Sequence, residues 1–198
     1  MLKIQRSRAL GFRYGFGGMS SPPHNIALSN KTPIALNHSQ PTLNNGPKNL
    51  KEALSSFDAM LRLRPLPCVV LFNQLLHQIT LMKHYSAVIS LYKQMGLLGI
   101  KPDLYTLNIL INCFCLLNQL GFALSVFEKF FKSGHMPSTV TMNTLLKGFF
   151  LEGKVAEAKE FYREMTQSGC KSSLFTYSTL LNGLCKIGNT SAAIQYLL

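Results

Sequence analysis

The segment KPDLYTLNILI at residues 101–111 recurs along the chain at a constant interval of 35 residues. The matching segments align without gaps: LPCVVLFNQLL at 66–76, MPSTVTMNTLL at 136–146 and KSSLFTYSTLL at 171–181. A fixed period of this length indicates a repeat protein, in which each unit packs mainly against its neighbours. The period therefore restricts the fold to a stack of similar units.

Each unit contains two runs of apolar residues with helical spacing. Counted from the first residue of a unit, these residues stand at places 4, 7, 8 and 11, and then at places 20, 24 and 27. Such spacing puts apolar side chains on one face of a helix. Residues that suit a tight turn separate the two runs: Lys83, Asn118, Gly153 and Gly188. Glycines stand where the second helix should end, and prolines follow them: Gly99, Gly134, Gly169, Pro102 and Pro137.

Two antiparallel helices cannot bury their apolar faces alone, so neighbouring pairs must stack. The sequence therefore predicts an all-α fold, a right-handed α-solenoid of 35-residue helix-turn-helix repeats. We expect three complete units, an incomplete unit and a partial capping unit that supplies only a second helix. Their expected ranges are 69–103, 104–138 and 139–173 for the complete units, 174–198 for the incomplete unit and 49–68 for the cap.

The basic residues are concentrated near the N-terminus. The formal net charge is +12, and residues 1–51 contain no acidic side chain. This excess favours an anionic partner such as nucleic acid or an acidic membrane surface. Because Arg is spaced among apolar residues and then followed by Ser, Pro, Gly and Asn, residues 1–48 are predicted to be a transit peptide and disordered linker. Mitochondrion is favoured over chloroplast; a basic tail without a targeting role is the alternative.

Other classes of function find little support in the sequence. No run of 18 apolar residues occurs, so no membrane span is expected. The five cysteines form no paired metal-binding motif, and we interpret them as reduced thiols, mostly in the core. His77 and His84 have no recurring acidic or cysteine partner, and GFGG at 15–18 follows no predicted strand. We therefore expect no catalytic site, no metal and no cofactor.

The fourth unit, FTYSTLLNGLCKIGNTSAAIQYLL, resembles the consensus of the pentatricopeptide repeat family. The stretch RPLPCVVLFNQLLHQITLMKHYSAVISLYKQM resembles the first repeat of P-type, fertility-restorer-like proteins of plant organelles. The tetratricopeptide class has a 34-residue unit with a characteristic Trp, whereas this chain keeps 35 residues and has no Trp. The resemblance implies binding of single-stranded organellar RNA at one base per repeat, with RNA-processing proteins as recruited partners.

The resemblance also implies which side chains contact RNA. Places 5 and 35 of each unit would select the base: Asn73 with Asp103, Asn108 with Ser138, Asn143 with Ser173, and Ser178. Place 2 would supply walls between which bases stack: Val70, Tyr105, Val140 and Phe175. Place 13 often supplies a phosphate-binding Lys, which only Lys186 matches, because the other units have Leu81, Leu116 and Leu151 there.

By analogy with the family, Asn with Asp favours U, Asn with Ser favours C, and Ser favours a purine. The predicted RNA target sequence is therefore 5′-U-C-C-purine. A carboxamide suits this task because it offers both a donor and an acceptor to a pyrimidine. The residues alone leave alternatives open. The three Asn could be N-terminal helix caps, and the aromatic wall residues Tyr105 and Phe175 could pack between repeats. The array could also be a protein-binding scaffold or an inactive truncated fragment, and its oligomeric state is not indicated.

Overall fold

The computed structural model describes residues 46–132, 137–167 and 172–195. Nine helices occur in this part of the chain: α1 (Leu50–Arg62), α2 (Val69–Leu81), α3 (Tyr85–Leu97), α4 (Leu104–Leu116), α5 (Leu120–Lys132), α6 (Thr139–Leu151), α7 (Val155–Gln167), α8 (Leu174–Lys186) and α9 (Thr190–Gln195). The predicted transit peptide lies outside the described residues up to residue 45, as do Gly134 and Gly169. None of these helices is both long and apolar enough to span a bilayer.

The helices form stacked antiparallel pairs. Helix α2 pairs with α3, α4 with α5, α6 with α7, and α8 with α9, while α1 packs against α2. The first helices of successive pairs also contact one another, so α2, α4, α6 and α8 form one continuous layer. They begin 35 residues apart, at Val69, Leu104, Thr139 and Leu174. The prediction of an all-α fold built from stacked helix pairs is therefore confirmed.

The turn inside each pair, which the sequence predicts to be tight, adopts the left-handed conformation. Lys83 and Asn118 have φ angles of 64° and 54°, and Gly153 and Gly188 have φ angles of 67° and 75°. After each of them, a backbone N–H bonds back to a carbonyl of the preceding helix, as from His84 to Ile79 at 3.2 Å. This arrangement satisfies carbonyls that the helix end would otherwise leave unpaired.

Aromatic side chains join successive helix pairs through the core. Phe57 of α1 and Phe72 of α2 are fully buried, and their ring centroids lie 5.6 Å apart. Farther along the chain, Phe161 of α7 contacts Phe149 of α6 at 5.2 Å and Phe127 of α5 at 6.5 Å. Each fully buried side chain of this size contributes about 1.5–3 kcal/mol to stability. Stacking is therefore stabilised mainly by apolar burial between units.

The first helices approach most closely where place 12 of one unit faces place 10 of the next. A Cβ atom on Gly183 would lie 2.3 Å from ring atoms of Phe150, and one on Gly148 would lie 2.5 Å from Cys115 Sγ. Phe150 and Cys115, both at place 12, thus each face a glycine at place 10 of the next unit. Between the first two units, the same places are filled by Thr80 and Cys113, whose Oγ1 and Sγ atoms are 3.6 Å apart.

The four cysteines of the described ranges are free thiols, but only two of them are in the core. Burial raises the pKa of Cys113, and burial with the negative charge of Glu152 raises the pKa of Cys115 to about 12. Since the thiolate is the reactive form, both buried thiols should be inert in the folded protein. Cys68 and Cys185 are exposed.

We expect a thiol reagent such as DTNB at pH 8 to modify Cys68 and Cys185 rapidly in the native protein. Cys113 and Cys115 should react only after unfolding in urea, because stacking of α4 between its neighbours shields them. Counting the protein thiols that DTNB modifies over time in a Cys170→Ser variant, with and without urea, measures this difference. Rapid native modification of all four thiols would contradict the described packing.

Candidate nucleic-acid interface

A polar cluster occurs where the first helix of one unit meets the first helix of the next. In the first two units, Asn73 Nδ2 donates to both carboxylate oxygens of Asp103, at 2.9 and 3.0 Å. Thr106 Oγ1 donates to Asn73 Oδ1 at 2.6 Å. These residues are at place 5, place 35 and place 3 of the following unit, and we call each such set a junction cluster. The cluster links α2 to the start of α4.

The residues at place 35 are N-terminal caps of the following helix. The carboxylate of Asp103 accepts from the Thr106 backbone N–H at 2.8 Å, and Thr106 Oγ1 accepts from the Asp103 backbone N–H at 3.2 Å. Ser138 and Ser173 cap α6 and α8 through the corresponding N–H groups. Such a cap satisfies N–H groups that have no partner inside the helix.

The alternative that the three Asn are helix caps is therefore wrong. Asn73, Asn108 and Asn143 are the fifth residues of α2, α4 and α6, inside the helices. The side chains of Asn73 and Asn108 face the start of the next first helix rather than their own N-terminus, as the bonds of Asn73 to Asp103 and of Asn108 to Thr141 show.

The second junction cluster leaves a donor free. Thr141 Oγ1 donates to Asn108 Oδ1 at 2.6 Å, and Ser138 Oγ accepts from the Thr141 backbone N–H at 3.3 Å. Asn108 is half-buried, and within the described ranges its Nδ2 has no hydrogen bond to the protein. An amide nitrogen carries two donor hydrogens, so Asn108 can offer both to a ligand.

The third junction cluster is less connected than the first two. Thr176 Oγ1 lies 3.1 Å from Ser173 Oγ, but the Oδ1 of Asn143 is buried and has no hydrogen-bond partner in the described structure. Asn73 and Asn143 are each only 3% exposed, whereas Asn108 is half-buried. Ser178, at place 5 of the fourth unit, is exposed. Among the three Asn, Asn108 is therefore the most accessible to a base.

The four candidate wall residues stand at the second position of the first helices. Val70, Tyr105, Val140 and Phe175 are between 51% and 68% exposed. Side chains packed fully between repeats would be largely covered, so packing alone does not account for this position. Tyr105 also contacts the His77 ring of the preceding unit, with centroids 6.4 Å apart.

At place 13, Lys186 is exposed, and so are two of the leucines that stand there in other units, Leu81 and Leu151. The first-helix layer thus carries more apolar than cationic surface at this place. In the described residues, no group of three or more His, Cys, Asp and Glu side chains is arranged to hold a metal ion.

Sequence reasoning missed the threonines of the junction clusters. Thr106, Thr141 and Thr176 are at most 1% exposed and recur every 35 residues at place 3. The signal available was a hydroxyl repeated at a position that helical spacing assigns to the buried face, where an apolar residue is the usual choice. A buried hydroxyl needs a hydrogen-bond partner, which here comes from the junction cluster.

Asp103 is the only acidic residue among the candidate site residues. Burial acts to raise its pKa, but hydrogen bonds from Thr106, Asn73 and the Tyr105 backbone outweigh burial and hold the pKa below the ordinary value of 3.8. Donors that favour the charged form have this effect. Asp103 is therefore a carboxylate at neutral pH, and it can only accept hydrogen bonds.

Stacked helix pairs with a polar cluster at each junction define an α-helical repeat protein. The PPR repeat family model matches residues 67–116 and 137–186, and the PPR repeat model matches residues 105–135 and 175–198. The chain belongs to the pentatricopeptide repeat family.

Curated relatives agree with this assignment over short stretches. A pentatricopeptide repeat-containing protein of Arabidopsis thaliana, named as mitochondrial, is 49% identical over 57 residues, which are 29% of this chain and 10% of that protein. A second, also named as mitochondrial, is 47% identical over 66 residues, which are 32% of this chain and 13% of that protein. The chain thus spans about a tenth of the length of these relatives.

Solved structures show the same stacking. The pentatricopeptide repeat protein PPR10, in complex with an 18-nt psaJ RNA element, is 25% identical with a TM-score of 0.64, covering 76% of this chain and 22% of PPR10. Nuclear proteinaceous RNase P 2 of A. thaliana is 19% identical with a TM-score of 0.57, covering 75% of this chain and 34% of that protein. The second likeness concerns the fold alone.

Proposed function

We propose that this protein binds single-stranded RNA in an organelle, selects one base per repeat, and thereby acts in transcript processing, stability or expression without catalysis. The observation that carries this proposal is the junction cluster, which recurs every 35 residues beside an exposed residue at place 2. Equally spaced polar groups flanked by stacking surfaces suit a single strand whose bases are read one at a time. The RNA-bound state of PPR10 supports the proposal by likeness.

Within this proposal, C is selected by Asn108 with Ser138 and by Asn143 with Ser173. U is selected by Asn73 with Asp103, and a purine is selected by Ser178. Stacking supplements this selection, because Tyr105 and Phe175 present aromatic rings. Base–aromatic stacking contributes about 1–3 kcal/mol per base in single-strand binders. Val70 and Val140 offer smaller apolar walls.

Phosphate contacts contribute less to binding than is usual for nucleic acid. Leucine replaces the expected Lys at place 13 of three units, and only Lys186 remains there. Neutralisation of phosphates normally dominates affinity and makes it steeply dependent on salt. Binding that depends mainly on stacking and hydrogen bonds should therefore show a shallow salt dependence.

The cellular setting is part of the proposal. The N-terminal composition of Arg among apolar residues, together with the relatives named as mitochondrial, favours the mitochondrion over the chloroplast. The resemblance of residues 64–95 to an entry repeat favours the P-type, fertility-restorer-like subgroup. Any cleavage or editing of the transcript would then be done by recruited RNA-processing proteins.

Fluorescence anisotropy with short unstructured RNAs tests this function. We expect RNA containing UCCA to bind more tightly than its scrambles. Changing Asn108→Thr together with Ser138→Asn should move the preference at the second base from C to A, with a mismatch costing about 1–3 kcal/mol.

The control is Gln94→Thr, an exposed substitution on α3, which should leave the preference unchanged. Equal binding of all RNAs, or no shift in the double variant, would contradict base selection by these residues.

A second candidate function is a scaffold for protein partners. Leu81, Leu151, Val70 and Val140 are exposed on the first helices, and apolar surface of this kind also suits a protein ligand. This candidate is favoured if purified chain shows no RNA preference but retains a stoichiometric protein partner through the same helices, with the partner lost in a Leu81→Glu, Leu151→Glu variant.

A further inference from the structure

Resting on the proposed RNA-binding function, we infer that Thr141 is a positioning residue for base selection. Its hydroxyl holds the carboxamide of Asn108 with Oδ1 turned toward the protein, so that the amide nitrogen is left to meet the base. The hydrogen bond is short, at 2.6 Å, and Thr141 is 1% exposed. A buried hydroxyl on α6 therefore determines which atoms of a side chain on α4 are available.

The first junction cluster shows the same carboxamide orientation, with the oxygen toward threonine and the nitrogen toward place 35. The Asp103 carboxylate can only accept, so the side-chain atom of Asn73 that faces it must be Nδ2. The other end of that carboxamide, Oδ1, then accepts from Thr106. In the second cluster the threonine bond is the same, but place 35 is Ser138, and no protein acceptor in the described structure takes the nitrogen of Asn108.

The chemistry of the bases turns this orientation into selectivity. Cytosine and uracil both present an O2 acceptor, which an amide nitrogen can meet directly. Cytosine presents a second acceptor, N3, beside O2, whereas guanine presents only O6 beside its N1–H and N2–H donors, so an amide nitrogen on the guanine edge faces donors that stay unpaired. If Asn108 were free to rotate by a half-turn, its Oδ1 would accept from guanine. The hydrogen bond from Thr141 thus disfavours guanine by holding Oδ1 toward the protein, because unpaired polar groups are costly when desolvated.

The test compares Thr141→Val, which keeps the branched shape but removes the hydroxyl, with Thr141→Ser, which keeps the hydroxyl. Binding of the full chain to RNAs containing UCCA or UGCA gives the C-over-G ratio at the second base. We expect this ratio to fall about fivefold in Thr141→Val, the equivalent of one hydrogen bond, and to keep its wild-type value in Thr141→Ser.

The matched control is Thr80→Val, which removes a buried hydroxyl that bonds the Leu76 carbonyl and Cys113 rather than a junction cluster. Its C-over-G ratio should equal that of the wild type, and melting temperatures of all variants report any purely structural effect. The inference is overturned if Thr141→Val keeps the wild-type ratio, or if Thr80→Val lowers it equally. A wild-type chain that does not distinguish UCCA from UGCA would instead overturn the proposed function.

Discussion

Replacing Gly183 with alanine is expected to lower the free energy of unfolding by about 1–3 kcal/mol, the usual cost of overpacking a well-packed interior. The added Cβ would lie 2.3 Å from ring atoms of Phe150, so the ring or the helix must move. Alanine favours a helix over glycine by about 1 kcal/mol, and the contact must outweigh that gain. Urea unfolding followed by circular dichroism measures the net change.

The control is Gly96→Ala in α3, where no atom lies within 4 Å of the added Cβ. Only the helix preference acts there, so the free energy of unfolding should rise, by up to about 1 kcal/mol.

A Phe150→Ala background should reverse the sign of the Gly183 effect. Removing the ring removes the three atoms that the added Cβ would meet most closely, so the helix preference should then make Gly183→Ala stabilising. Double-mutant cycles of contacting residues detect coupling of this kind. An equal loss in both backgrounds would mean that Phe150 and Gly183 are not in the contact described.

This pair shows that the units are not interchangeable, even though their first helices share one pattern. Phe150 requires Gly183, Cys115 faces Gly148, and Thr80, which is smaller than Phe150, faces Cys113. The bulky Phe150 at place 12 is accommodated beside a glycine at place 10 of the next unit. The stacking order is therefore specified by side-chain volume, in addition to the shared helical pattern.

The helices and their turns could be predicted from the sequence because both depend on local patterns. The period and the apolar spacing predict the helix pairs, and residues such as Asn118 and Gly153 predict the tight turn between them. The junction clusters could not be predicted in the same way. Whether Asn108 meets Thr141, 33 residues away, depends on how one helix pair is rotated on the next, and local spacing does not contain that rotation.

The roles of the candidate site residues show the same limit. The sequence marked Asn73 and Asp103 as a pair, but not that Asp103 caps α4 or that Asn73 is almost completely covered. It also left Thr106 unassigned, because a buried hydroxyl is recognised as part of a site only when its partner is known.

Replacing Asp103 with alanine is expected to destabilise the protein by about 2–4 kcal/mol, since two separate costs add. Loss of the N-terminal cap of α4 costs about 1 kcal/mol, and leaving the buried Nδ2 of Asn73 unpaired costs about 1–3 kcal/mol. Asp103→Ser should cost less, because serine caps α6 and α8 at the same place. Urea unfolding at neutral pH measures both changes.

The pH dependence of stability distinguishes the effect of the Asp103 charge from the effect of its side-chain shape. Its pKa is lowered in the folded state, so the stability it contributes is present above the unfolded value of 3.8 and is lost as pH falls through the folded value. The difference in free energy of unfolding between the wild type and Asp103→Ala should therefore be largest near neutral pH and should decrease below pH 3.8. A gap that stays constant over this range would show that the carboxylate charge is not what holds Asn73. If the difference in stability narrows, the Asp103 charge proposed to bias the first base toward U also stabilises the contact between α2 and α4. Base selection and unit stacking at this junction are then coupled through one side chain.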